Sequence, residues 1–195
     1  MILILRPRLF IAINPPEKLR DNLVRCQQLL SGLEWKVKWV ERENLHLTLA
    51  FLGETNRELV VDIKQVLSRT AEMSAGLSLS FEGLGAFPSL KSPRVIWAGL
   101  GGQVSQLNLL HRSIKEGLQG VGFKPDDKPF RPHLTLGRVK GPAAIATKES
   151  LARFKQAEQA LSAESWKASR IDLMQSELGV SGPRYTVLAN FSFKN

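Results

Sequence analysis

The tetrapeptide His46-Leu47-Thr48-Leu49 recurs unchanged as His133-Leu134-Thr135-Leu136. A given tetrapeptide recurs by chance in a chain of this size at odds of roughly one in a thousand under uniform usage. Both copies read as strands. Side chains on a strand alternate between two faces, so His46 shares a face with Thr48, His133 with Thr135, and the leucines lie behind. A lone strand histidine is ordinarily a half-exposed polar residue, and threonine is a common strand former. The duplication is what points to chemistry. If the two polar faces meet across a cleft, two imidazoles and two hydroxyls surround one small space. That set suits in-line displacement at phosphorus, in which attacking and leaving oxygens lie on opposite sides. One imidazole takes a proton from water and the other gives one to the departing oxygen. An ordinary histidine pKa of about 6.5 allows one neutral and one protonated ring near neutral pH. The threonine hydroxyls can hold the non-bridging oxygens.

The other reactive side chains are less informative. His111 lies four residues after Leu107 on a helical stripe, which favours a packing role. Cys26 sits on an apolar stripe and reads as a core thiol. Two histidines alone make a poor metal site, because no nearby Asp, Glu or Cys completes a ligand set. No metal or cofactor is expected.

The elements that must place the motifs follow from periodicity. Residues 8–13 form an apolar strand. Asn14-Pro15-Pro16-Glu17 reads as a helix start, with Asn14 able to cap. Leu19, Leu23, Cys26 and Leu30 form the stripe of that helix, and Gly32 ends it. Strands are expected at 35–40 and 45–52. Thr55 is the expected cap of a second helix carrying Leu59, Ile63, Val66 and Leu67. Strands near 77–84 and 94–100 flank a Pro88–Pro93 loop. A third helix spans about 103–119, with Leu107, Leu110, Ile114 and Leu118 inward. After a turn-rich basic stretch, 123–132, comes the strand 133–139, broken by Gly141-Pro142. A helix at 147–161 and strands near 167–178 and 184–193 complete the chain, with a turn at Gly179–Pro183. Strands adjacent in sequence favour α+β with antiparallel sheets over a doubly wound parallel sheet. Each motif is followed by a turn, a helix and a pair of strands. Trp97 lies 51 residues after the first histidine and Tyr185 lies 52 after the second. This spacing implies two copies of one unit, a pseudo-twofold molecule in which Trp97 and Tyr185 are equivalent. Either aromatic can stack on a base, with core packing favoured for Trp97.

There are 27 Lys+Arg against 18 Asp+Glu, a net charge of +9, which favours polyanionic partners. Lys124, Lys128, Arg131 and Arg138 gather around the second motif as candidates to line an RNA approach. The apolar fraction of 43% is enough for a sizeable core. A single cysteine points to a reducing compartment, and a soluble cytoplasmic protein is the default expectation.

The paired His-x-Thr-x motifs resemble those of the 2H phosphoesterase superfamily, and among its members the RNA 2′,3′-cyclic phosphodiesterases, historically called 2′–5′ RNA ligases. Matching stretches are Arg8–Ile13, Val37–Val40, Asn44–Gly53, Phe87-Pro88, Pro93–Trp97, Pro129–Arg138 and Gly182-Pro183-x-Tyr185. Residues 1–7 fall outside the match and read as an N-terminal extension to a single domain of two pseudo-symmetric lobes. The resemblance implies a bilobal α+β fold, two antiparallel sheets flanked by helices, with the motifs facing across a central groove. It implies hydrolysis of a terminal 2′,3′-cyclic phosphate to a 2′-phosphate, with His46 as proton donor, His133 as proton acceptor, and Thr48 and Thr135 binding phosphate. Lys128, Arg131, Arg138 and Tyr185 are candidate RNA contacts. Expected partners are RNA with a cyclic phosphate end, including tRNA fragments, or cyclic nucleotides; no membrane is expected, and a monomer is. Joining RNA ends through a 2′–5′ bond is implied as a reverse activity. An RNA-binding module without turnover is the competing reading, though binding alone does not need two titrating groups.

Overall fold

A computed structural model describes residues 6–125, 128–141, 147–161, 165–179 and 182–194. Of the expected extension, residues 1–5 lie outside them, as do Pro142 and parts of the 123–132 and 179–183 turns. The described chain is α+β, with strands β1 (Arg8–Ile13), β2 (Val37–Trp39), β3 (Leu47–Glu54), β4 (Leu77–Phe87), β5 (Val95–Gly102), β6 (His133–Val139), β7 (Ser165–Ala168), β8 (Arg170–Leu178) and β9 (Pro183–Ser192). The helices are α1 (Glu17–Leu30), α2 (Arg57–Glu72), α3 (Val104–Gly120) and α4 (Lys148–Leu161).

The strands form one sheet in the order β7-β4-β5-β6-β3-β1-β8-β9, with β2 also paired to β6. All pairings between these strands are antiparallel. The two motif strands, β3 and β6, meet at the centre through one register pair, Leu47↔Leu134. The two expected sheets are thus the two halves of one sheet, joined where the motifs lie. From that junction the order reads β3-β1-β8-β9 one way and β6-β5-β4-β7 the other. The strand that follows α2 pairs in the half of β6, and the long strand after α4 pairs in the half of β3. Each copy of the repeat therefore sends a strand into the other half.

The apolar stripes behave as their spacing requires. Leu19, Leu23, Cys26 and Leu30 of α1, and Leu107, Leu110, Ile114 and Leu118 of α3, are all buried. They join Leu47, Leu49, Leu134 and Leu136 from the motif strands in one core with α2 and α4. All four helices thus cover the leucine face. The opposite face carries a small cluster, Phe10, Ala12 and Met174, with Tyr185 packed against it.

Local readings need correction where side chains found other partners. Asn14 does not cap α1. Its Nδ2 donates to Asp172 Oδ2 at 2.7 Å and to Met174 Sδ at 3.6 Å. Thr55 does not cap α2, since Asn56 holds that position and the buried Thr55 hydroxyl donates to Gly53 O at 3.1 Å. Thr147 does cap α4, accepting from Ser150 N at 3.2 Å. The expected strand at 35–40 shortens to β2. The run near 167–178 breaks at Ser169 into β7 and β8, which pair in different halves of the sheet. No helix among the described residues is long and apolar enough to cross a membrane.

Asp172 is 0% exposed. Besides Asn14 its carboxylate has Arg170 Nε at 3.3 Å, an ion pair without good hydrogen-bond geometry. Asn14→Ala removes a well-formed side-chain donor to a buried carboxyl group. It is expected to lower unfolding stability by about 1.5–3 kcal/mol. Urea denaturation checks this, and an unchanged midpoint would contradict it.

Candidate active site

Both motifs present their polar residues on the face away from the helices. Leu47, Leu49, Leu134 and Leu136 are buried, while His46, Thr48, His133 and Thr135 are half-buried. Carrying the Leu47↔Leu134 register one residue to either side sets Thr48 opposite His133 and His46 opposite Thr135. One short ladder thus brings together all four residues that the repeat singled out.

The two rings are held in the same way. His46 Nδ1 donates to Asn44 O at 2.7 Å, and His133 Nδ1 donates to Arg131 O at 2.6 Å. A ring held at Nδ1 by a carbonyl keeps its proton there when neutral and leaves Nε2 for proton transfer. His46 Nε2 lies 2.9 Å from Thr48 Oγ1, which donates to it when the ring is neutral. The supporting backbone is itself tied down. Asn44 closes a 3-10 turn, Arg42–Asn44, and Arg42 reaches Glu17 at 2.6 Å and Asp21 at 2.7 Å on α1. That guanidinium holds the Asp21 carboxyl below its usual range. The Asn44 side chain donates to Pro183 O at 2.9 Å, fixing the start of β9 beside His46.

Aromatic rings wall both imidazoles. Tyr185 meets His46 edge-on at 5.3 Å, and Phe10 lies 4.9 Å from the same ring. Phe87 meets His133 edge-on at 5.1 Å. Burial among these groups pushes the His46 pKa down to about 4. The Asn44 carbonyl opposes this shift, while the charges of Arg20 and His133 add to it. Burial raises the Tyr185 phenol, and it pushes the Cys26 thiol up to about 12, which suits a core residue rather than a nucleophile. Among the described residues, no group of three or more His, Cys, Asp or Glu is placed to hold a metal ion.

A cavity of about 340 Å³ opens beside the motifs, lined by Thr48, Phe51, Phe87, His111, Phe130 and His133. Lys128 and Arg131 also line it, whereas Lys124 is exposed and is not among its lining residues. Arg138 lies farther along β6 and does not line this cavity, so the expected basic cluster is divided. His111 packs at the edge of the buried face of α3, as expected. It is half-exposed and stacks on Phe130 at 4.0 Å with the rings 2° from parallel. Trp97 and Tyr185 are not equivalent. Trp97 lies on β5 beside Thr135, packed on Phe87 and across Gly85, where a Cβ would collide with the indole. Tyr185 lies on the outermost strand β9. Equal spacing misled because each unit exchanges a strand with the other half.

Sequence reasoning missed Phe51, Phe87, Phe130 and the side chain of Asn44. Phe51 was hidden by a bulge. Ala12 and Ile11 pair with Thr48 and Ala50, which makes Leu49 an extra residue, so Phe51, opposite Phe10, returns to the histidine face. The matching bulge in β6 has Trp97 opposite Thr135 and Ile96 opposite Gly137. It turns Arg138 to that face. Gln27 stabilises it, donating to Leu136 O at 2.9 Å and Val40 O at 2.8 Å.

A model of the 2′-5′ RNA ligase superfamily matches residues 15–179. The RNA 2′,3′-cyclic phosphodiesterase of Methanothermobacter thermautotrophicus is 34% identical over 187 residues, covering 96% of this chain and 99% of that protein. Among solved structures, TT0787 of Thermus thermophilus superimposes with a TM-score of 0.76 at 32% identity, covering 95% of this chain and 97% of its own. E. coli LigT complexed with 3′-AMP gives 0.75 at 25% identity, covering 97% and 99%.

Proposed function

Since the chain belongs to the 2′-5′ RNA ligase superfamily, we propose that it hydrolyses RNA 2′,3′-cyclic phosphate termini to 2′-phosphates by acid–base catalysis at His46 and His133. The observation that carries this reading is the matched pair of imidazoles, each held at Nδ1 by a carbonyl two residues upstream. Binding alone has no use for two rings prepared in this way. The relatives' activity and the 3′-AMP held by LigT support the substrate class.

In this mechanism the phosphorus sits between the two rings. His133 Nε2 accepts a proton from water as the water oxygen bonds to phosphorus. The P–O3′ bond breaks on the opposite side, and O3′ takes the proton carried by His46 Nε2. The product is a 2′-phosphate with a free 3′-hydroxyl. Thr48 and Thr135 donate to the non-bridging oxygens, and Thr48 leaves His46 Nε2 to do so. His46 is neutral in the free protein at neutral pH, because burial disfavours its charge. The phosphodiester anion compensates that cost, so the acid is charged as substrate binds. A 5′-hydroxyl in place of water would form a 2′–5′ phosphodiester by the same proton transfers. The chain acts as one domain of two pseudo-symmetric lobes, and as a monomer in the cytoplasm. Lys128 and Arg131 on one arm, with Arg138 and Tyr185 on the other, contact the RNA. Substrates include cyclic nucleotides and tRNA fragments.

An oligonucleotide ending in a 2′,3′-cyclic phosphate, incubated with the protein in excess EDTA, tests the reading. Conversion to the 2′-phosphate is expected. A 3′-phosphate product would reverse the bond assignment, and binding without conversion would leave an RNA-binding module.

A further inference from the structure

In the mechanism above O3′ leaves toward His46, so the ribose that carries it lies on the His46 side of the phosphorus. The RNA strand runs on from that ribose through its 5′ oxygen. The 340 Å³ cavity takes in His133 but not His46. A second cavity, of about 300 Å³, lies at the end of β1, the strand that runs beside β3 about 5 Å away. Its wall includes Ile13, which pairs with Leu47, the residue after His46, and Asn14. The Asn14 side chain reaches Met174, which packs with Phe10, the ring beside His46. Arg20, Lys167 and Arg170 also line this cavity, three cations against one carboxylate, Glu17. That carboxylate is held at 2.6 Å by Arg42, which is not part of the lining.

Two of the three cations are held in position. Arg20 donates from Nε to Pro15 O at 3.2 Å, and its side chain is only 15% exposed. Arg170 has the buried Asp172 at 3.3 Å beneath it, and its own side chain is still 53% exposed. Arg20 also lies near enough to His46 for its charge to disfavour protonation of that ring. A concave site with two positive charges in excess, one strand away from the acid, suits a phosphodiester anion. We propose that Arg20, Lys167 and Arg170 form a subsite for the backbone phosphate on the 5′ side of the terminal nucleotide. The subsite distinguishes an RNA end from a cyclic mononucleotide, which has no phosphate there. This inference rests on the cyclic phosphodiesterase reading.

The test uses a dinucleotide ending in a 2′,3′-cyclic phosphate and its analogue with a neutral methylphosphonate linkage. Wild type is expected to show a KM about tenfold lower for the charged dinucleotide, with similar kcat. Arg20→Gln and Lys167→Gln should each shrink that ratio severalfold, and Arg20→Lys, which keeps the charge, should retain most of it. Equal KM for the two dinucleotides, or a ratio that neither Gln variant moves, would overturn the subsite. A ratio lost equally in Arg20→Lys and Arg20→Gln, and untouched in Lys167→Gln, would leave Arg20 a structural residue and overturn it too. Thermal melting accompanies each variant, and Lys167→Gln, at an exposed side chain, decides if Arg20→Gln does not fold. Equilibrium binding of the two dinucleotide 2′-phosphates gives a readout that needs no turnover. If wild type hydrolyses nothing yet binds the charged form about tenfold tighter, and Lys167→Gln loses that preference, the catalytic reading fails and the subsite stands. If wild type hydrolyses both dinucleotides with the same KM and binds both products alike, the subsite fails alone.

Discussion

His46→Ala and His133→Ala are each expected to lower the rate of cyclic phosphate hydrolysis by about 10²- to 10⁴-fold, the usual contribution of a positioned acid or base. The fold should survive both changes, because the core lies on the leucine face and the two histidines lie on the other. The double variant should be little worse than either single one, since the two rings serve one transition state and their losses do not add. The variants should also differ from each other. A substrate with a good leaving group in place of O3′ needs little help from an acid. It should recover much of the activity of His46→Ala and little of that of His133→Ala. Single-turnover rates with matched melting temperatures provide the measurement. Activity indifferent to either histidine would remove the mechanism, and recovery confined to His133→Ala would exchange the two roles.

Anion binding should depend steeply on pH through His46. The free ring is held down to about 4 by burial, against an ordinary value of 6.5. An anion placed beside it favours the charged form and raises its pKa. Binding then takes up a proton between the free and bound values. Affinity must rise as pH falls through that window and level off below about 4. Sulfate is a suitable probe because its own charge is constant across the range. Up to tenfold tighter binding per pH unit is expected, about fiftyfold between pH 7 and pH 5 if the bound value reaches 7. His46→Gln removes this contribution, and whatever slope remains belongs to other groups. Calorimetry of sulfate binding to both proteins decides it. The same slope in wild type and His46→Gln would show that His46 does not take up the proton.

The residues of the candidate site were legible in the chain itself, because a strand repeats every two residues and both motifs obey that period. His46 and Thr48 on one face, with Leu47 and Leu49 on the other, follow from local geometry alone. The stripes of α1 and α3 were legible for the same reason. What failed was the reading of residues whose partners are distant in sequence. Asn14 has the chemistry of a cap, yet a buried carboxylate on β8 is the more demanding partner. His111 packs as its place on the helix suggests, but periodicity does not name its partner, Phe130, which comes from a loop. Trp97 and Tyr185 are equally spaced from their motifs, but spacing carries no information about which half a strand joins.

The sequence by itself determined which side chains can do the chemistry and that they come in two matched sets. Only the tertiary structure decided how the sets meet. The pairing of Leu47 with Leu134 sets the two motifs side by side, and carbonyls two residues upstream set the ring tautomers. Two bulges turn Phe51 and Arg138 into the groove against the simple alternation. The physical reason is that face alternation is a property of one strand, whereas register, bulges and burial arise between strands far apart in the chain.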